Sequence, residues 1–119
     1  MKNFMIKTII FLFVLVVVSF KVAVAADVQV AWDANTEPDL AGYKVFWDVV
    51  NPPVANEQDV GNVTSYTITG LTEGQIVYIG AKAYDTDGNE SAMSDILQYI
   101  PRTAKLIIII DAPQGLTTQ

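Results

Sequence analysis

The chain has 119 residues, room for one domain, with seven Lys and Arg against thirteen Asp and Glu and neither Cys nor His. Without Cys there is no disulfide, thiol nucleophile, thiolate metal site or lipid-attachment cysteine, and without His the commonest general base and zinc ligand is missing. The acidic balance repels nucleic acid and anionic lipid, which argues against a role in binding either.

The first element is an expected export signal, residues 1–26. Lys2 and Lys7 give a positive start, Ile9 to Phe20 is an almost unbroken apolar run, and Val22-Ala23-Val24-Ala25-Ala26 supplies small residues for cleavage near Ala25 or Ala26. The alternative is an uncleaved anchor helix. The run falls short of the about 20 apolar residues of a membrane span, and Lys21 interrupts it. The implied location is secreted, periplasmic or cell-surface. Cleavage removes Lys2, Lys7 and Lys21, leaving four basic residues against thirteen acidic ones, a net charge of −9. With no disulfide, the mature domain must stand on its core alone.

The rest reads as short strands of period two. Val28, Val30 and Trp32 alternate with Gln29 and Ala31, and residues 33–39 form a turn-rich loop. Tyr43, Val45 and Trp47 alternate with Lys44 and Phe46 until Asn51-Pro52-Pro53 breaks the strand. Tyr66, Ile68 and Leu71 mark a third strand. Val77, Ile79, Ala81 and Ala83 mark a fourth, closed by the turn Asp87-Gly88-Asn89. Ile96 to Ile100 is a fifth, stopped by Pro101. Short strands separated by turn signals predict an antiparallel sandwich or barrel.

Four pieces in order carry a family resemblance: Val30-Ala31-Trp32-Asp33-Ala34-Asn35, Pro38-Asp39-Leu40-Ala41-Gly42-Tyr43-Lys44-Val45, Tyr66-Thr67-Ile68-Thr69-Gly70-Leu71, and Ala83-Tyr84-Asp85 followed by Gly88-Asn89-Glu90-Ser91. From about Val28 to Pro101 the chain resembles a bacterial fibronectin type III domain. The resemblance implies an all-β, immunoglobulin-like antiparallel β-sandwich over residues 27–101, followed by a β-prone tail, 102–119. Trp32 would lie on strand B, Tyr43 on C, Tyr66 on E, Val77 to Ala83 on F and Ile96 to Tyr99 on G. Trp32, Tyr43, Val45, Ile68, Leu71, Ile79 and Ala81 should point inward, with Trp32 as anchor. Two departures stand out. Val77 occupies the place of the family's E–F corner tyrosine, and little chain precedes Val28 to make strand A.

The resemblance implies an exported, non-catalytic binding or spacer module that contacts a protein or glycan partner at the cell envelope. The alternative is a self-assembling structural subunit joined by strand exchange through the tail. No cofactor is implied, but weak calcium binding is a candidate, because Asp85-Thr86-Asp87-Gly88-Asn89-Glu90 has the look of a calcium loop. The plainer reading is an F–G turn that uses Asp, Asn and Gly for their backbone habits. In this fold the B–C and F–G loops share an end, so Asp33, Glu37 and Asp39 are expected to gather near Asp85, Asp87 and Glu90. Asn62-Val63-Thr64 and Asn89-Glu90-Ser91 match the N-glycosylation pattern, although bacterial relatives imply no glycan. Phe46, Trp47, Tyr78 and Tyr84 are candidates for an exposed aromatic face. Acid pairs such as Glu37/Asp39 or Asp85/Asp87 are the only catalytic candidates, and as loop-tip groups they are expected to be solvated, with ordinary pKa values, so no enzyme is expected. In the tail, Leu106 to Ile110 is a run of β-formers, and Leu116 sits in a segment resembling a following strand A. Either is expected to dock on the exposed edge of strand B, in cis or in trans, with Pro101 and the short spacer obstructing a return in cis.

Overall fold

The computed structural model describes residues 22–103 and 106–116. The expected export signal lies outside the described residues as far as residue 21; Ala25 and Ala26, where cleavage is expected, open the first strand. Seven strands follow in order: β1 (Ala25–Trp32), β2 (Leu40–Asp48), β3 (Asn56–Gly61), β4 (Ser65–Thr72), β5 (Val77–Asp85), β6 (Leu97–Tyr99) and β7 (Leu106–Ile110). They form two sheets, β4-β1-β7 and β3-β2-β5-β6. No helix among the described residues is long and apolar enough to cross a membrane. The fold is an all-β, immunoglobulin-like sandwich.

Period two does what the sequence requires of it. Val28, Val30 and Trp32 from one sheet meet Tyr43, Val45, Ile79, Ala81 and Ala83 from the other, and all are buried, as are Ile68 and Leu71 of β4. The Trp32 and Tyr43 rings lie 5.3 Å apart, tilted by 58°. That tilted contact suits two aromatic quadrupoles and adds to the area they bury. Val77, at the expected corner-tyrosine position, is a buried core residue. A tyrosine-to-loop bond forms elsewhere: the Tyr43 hydroxyl accepts the Asn35 N–H at 2.7 Å and faces the Asn35 Oδ1 at 3.3 Å.

The structure departs from the sequence reading at two elements. The first is β3, which that reading misses. Asn56-Glu57-Gln58-Asp59 offers no apolar alternation because the strand lies at a sheet edge, exposed, where charge protects against unwanted pairing. The second is strand G, expected over Ile96 to Ile100 but three residues long. Upstream, Ser91 and Ser94 replace it. Their N–H groups bond to the carbonyls of Ala83 and Ala81, each at 2.8 Å. Their hydroxyls accept the Ala83 and Ala81 N–H groups, each at 2.9 Å. The edge of β5 is thus satisfied by serine side chains where the backbone is out of register.

The tail follows one of the two routes expected for it. β7 docks in cis on β1, beside which strand A was expected, and it runs parallel to β1 from Val28↔Leu106 to Trp32↔Ile110 with no register shift. The direction follows from the path. β6 runs antiparallel to β5, so it delivers the chain to the end where β1 starts. The crossing is held there by Gly74 N–H to the Pro101 carbonyl (2.9 Å) and by Thr103, whose hydroxyl and N–H reach the Glu73 carboxylate at 3.0 and 3.3 Å. Pro101, expected to obstruct the return, is buried within it. Beyond β7, Pro113 and Leu116 are buried, and Leu116 joins the core.

The registers define two ends. The proximal end holds residues 22–24, 49–55, 73–76 and 100–103, and the distal end holds 33–39, 62–64, 86–96 and 111–116.

Candidate binding groove

At the proximal end the β2–β3 connection is fixed by one carboxylate. Asp48, buried at the end of β2, accepts the N–H groups of Val49 (2.7 Å), Ala55 (2.9 Å) and Val54 (3.4 Å). Burial works against its charge, but the donated bonds outweigh that, and the carboxyl is held below its ordinary range. The loop so closed presents Val49, Val50 and Val54 to solvent. Ile76 and Ile100 are exposed at the same end.

Between this loop and the edge of β4 lies a groove of about 460 Å³. Trp47 lines it from the inner side of β2 and packs against Tyr66 with ring centroids 6.3 Å apart. Val49, Leu71, Ile76 and Pro101 add apolar wall; Asn56, Thr69, Thr72 and Gln75 add amides and hydroxyls. Asn56 is itself positioned by its amide, which donates to the Trp47 carbonyl at 3.0 Å. An aromatic ring among a few hydrogen-bonding groups is the composition of a recognition site. The sequence marks Trp47 as an aromatic candidate but gives no sign of the groove, because its walls come from four separate stretches of chain.

The expected aromatic face divides. Phe46, Tyr78 and Tyr84 share the outer face of the four-stranded sheet, while Trp47 pairs with Ile79 on the inner side. That outer face is internally satisfied. Lys44 pairs with Glu90 (2.6 Å) and Glu57 (3.3 Å), and Lys82 with Glu90 (3.6 Å). Lys82 also sits over the Phe46 ring at 5.4 Å. Tyr84 donates to Asp59 at 2.8 Å. The Glu90 bond raises the Lys44 pKa, and the Lys44 bond lowers that of Glu90. Bonds from Gly61 N–H and then Tyr84 lower Asp59, and the Asp59 bond raises Tyr84.

The six candidate calcium ligands lie at the distal end and are partly brought together. Thr86 N–H bonds to the Asp39 carbonyl at 3.0 Å, which joins the two loops. Asp85 is 2 % exposed and organises its own turn. Its Oδ1 accepts Asn89 N–H (2.8 Å) and Asp87 N–H (3.0 Å), and its Oδ2 accepts the Asn89 amide (3.1 Å). Gly88 supplies the positive φ of 85° that the turn needs. Asp85 therefore departs from the expectation of a solvated, ordinary acid: burial opposes its charge, the bonds from Asn89, Asp87 and Gly88 prevail, and its pKa is lowered. Asp87 is exposed, and Glu90 turns to Lys44 and Lys82. Glu37 and Asp39 are partly buried, each with one carboxylate oxygen shielded and unbonded. Asp33 lies apart, in a depression of about 440 Å³ with Asp95 and Asp111, two residues the sequence reading did not single out. Among the described residues no three His, Cys, Asp or Glu side chains form a group that would hold a metal ion.

Comparison of the chain with family models, with curated proteins and with solved structures gives no match.

Proposed function

We propose that this protein is an exported, non-catalytic contact module of the fibronectin type III kind, which holds a protein or glycan partner in the groove beside Trp47. The groove carries the reading: an aromatic ring on β2, flanked by uncharged hydrogen-bonding side chains, beside a loop clamped in place by Asp48. Its one carboxylate is occupied by backbone N–H groups, so the groove suits an uncharged sugar strand or an apolar peptide. The carboxyls of Asp48, Asp59, Asp85 and Glu90 are all held low, whereas a general acid needs its pKa raised. This counts against these four carboxyls as general acids.

Trp47 is half-buried beside the groove and Trp32 is in the core, so fluorescence quenching reports on Trp47. Titration with neutral oligosaccharides and with apolar peptides should change the emission for one class. Trp47→Phe, which keeps most of the packing, should weaken binding measured by calorimetry. No response to either class, or turnover of an oligosaccharide, would overturn the proposal.

A further inference from the structure

The groove beside Trp47 has a strand edge for one wall. Thr69, Gly70, Leu71 and Thr72 of β4 line it, and β4 is the outermost strand of its sheet, paired with β1 alone among the described strands. A strand paired on one side leaves alternate main-chain N–H and C=O groups unpaired on the other. The bulge at Gly70 interrupts that row: φ is 73°, and the N–H turns back to the Asp27 carboxylate at 3.1 Å. It limits pairing to a short segment. A Cβ at Gly70 would meet nothing within 4 Å, so the space beside the edge is open.

The other side of the groove is aliphatic. Val49 and Ile76 line it and are exposed; Val50 follows Val49, Ile100 precedes the lining Pro101, and both are exposed. The Trp47 ring is half-buried and packed against Tyr66, which leaves less of its face for a sugar to stack on. A sugar carries hydroxyls all round, and against such a rim each would lose water without gaining a bond. An extended peptide fits both walls at once. Its main chain pairs with the strand edge, and every second side chain turns to the aliphatic side. Charge selects further. At the distal end, residues 33–39, 86–96 and 111–116 carry three, three and one carboxylates and no Lys or Arg. The proximal end carries one Glu and one Arg, and that Glu73 is bonded to Thr103. The groove therefore lies at the end without net charge, which suits an uncharged partner.

We propose, on the reading of this groove as the binding site, that its occupant is a short, uncharged apolar segment of a partner protein, bound in extended form along the edge of β4. Main-chain bonds supply affinity, and the aliphatic wall selects β-branched side chains at alternate positions.

Calorimetry on the full chain tests it with a peptide of alternating valine and threonine, capped at both ends, and with a neutral cello-oligosaccharide. The peptide should bind and the oligosaccharide should not. Two further peptides are N-methylated, one at the odd amides and one at the even, which removes main-chain donors and keeps the side chains. Only alternate N–H groups face a neighbouring strand, so one of the two should bind about tenfold or more weakly and the other much as the parent does. Val49→Ser should weaken peptide binding with the melting temperature unchanged, since the side chain is exposed. Binding of the oligosaccharide in place of the peptide would overturn this inference and leave the groove as the binding site. No binding of either would overturn both. Equal binding of the two methylated peptides would overturn pairing along β4.

Discussion

The proximal and distal ends of the sandwich are built on different principles. At the distal end, distant parts of the chain are joined by specific polar bonds. Asn35 links Tyr43 to the tail through its amide, which donates to the Pro113 carbonyl at 2.7 Å. Asp85 organises the turn after β5, and Leu116 inserts from the tail. At the proximal end one carboxylate fixes a loop, and the side chains beyond it, Val22, Val24, Val49, Val50, Val54, Ile76 and Ile100, face solvent. The distal end is consumed in holding the two sheets and the tail together, whereas the proximal end is held by the carboxylates of Asp48 and Glu73 and leaves its valines and isoleucines exposed. The exposed apolar side chains therefore gather at the end that needs fewer of them for its own structure.

Substitutions can break that contrast, and the largest effect belongs to the tail. Removal of residues 104–119 takes Ile110 and Leu116 from the core and bares the β1 edge. At about 1.5–3 kcal/mol for each large apolar side chain, it should cost roughly 3–6 kcal/mol by denaturant titration. An unchanged midpoint would mean that the tail does not stabilise the sandwich. Trp32→Ala should cost about 3–5 kcal/mol. Trp32→Phe should cost less than its lost volume suggests, because it also removes an indole N–H that is buried without a partner.

Two glycines sharpen the contrast further. A Cβ at Gly42 would stand 2.5 Å from the Tyr84 hydroxyl and 2.9 Å from the Gly61 backbone. At Gly80 it would meet only the flexible ends of Met93 (2.8 Å) and Ile96 (2.9 Å). Gly42→Ala should therefore cost about 1–3 kcal/mol, and Gly80→Ala less; the reverse order in thermal melts would contradict the packing described.

Acid should act mainly at the carboxylates that hold loops. The folded-state pKa of Asp85 lies below its ordinary value. Its stabilisation is thus complete above about pH 4 and is lost as pH falls through the lower, folded-state value. Asp85→Asn should lower stability at neutral pH and flatten that acid decline; an unchanged acid profile would remove Asp85 from the account. The smallest effect is expected at the proximal surface. Val54, 70 % exposed, should tolerate change to Ser within about 0.5 kcal/mol, and a larger loss would mean the loop is part of the core.

Much of this fold is legible in the sequence because a half-buried strand writes its burial in every second residue. Val28, Val30 and Trp32, Tyr43 and Val45, and Ile79 and Ala81 all face the core that their alternation assigned. The calcium candidates were legible only as a cluster of acids, since sequence does not say which oxygens are already taken. Asp85 and Glu90 look alike in the sequence; one is bound by its own turn and the other by two lysines.

The sequence by itself determined the all-β class, the strands with a buried face and the β-prone tail, because these follow from side-chain periodicity and local turn chemistry. Only the tertiary structure decided the rest. β3 has no buried face to mark it, and the serine bonds along β5 depend on register. The direction of β7 depends on where β6 leaves the chain. The groove beside Trp47 exists because Asp48 holds one loop near the edge of a strand from the other sheet. Pairing, register and enclosure are relations between segments distant in sequence, and no local pattern encodes them.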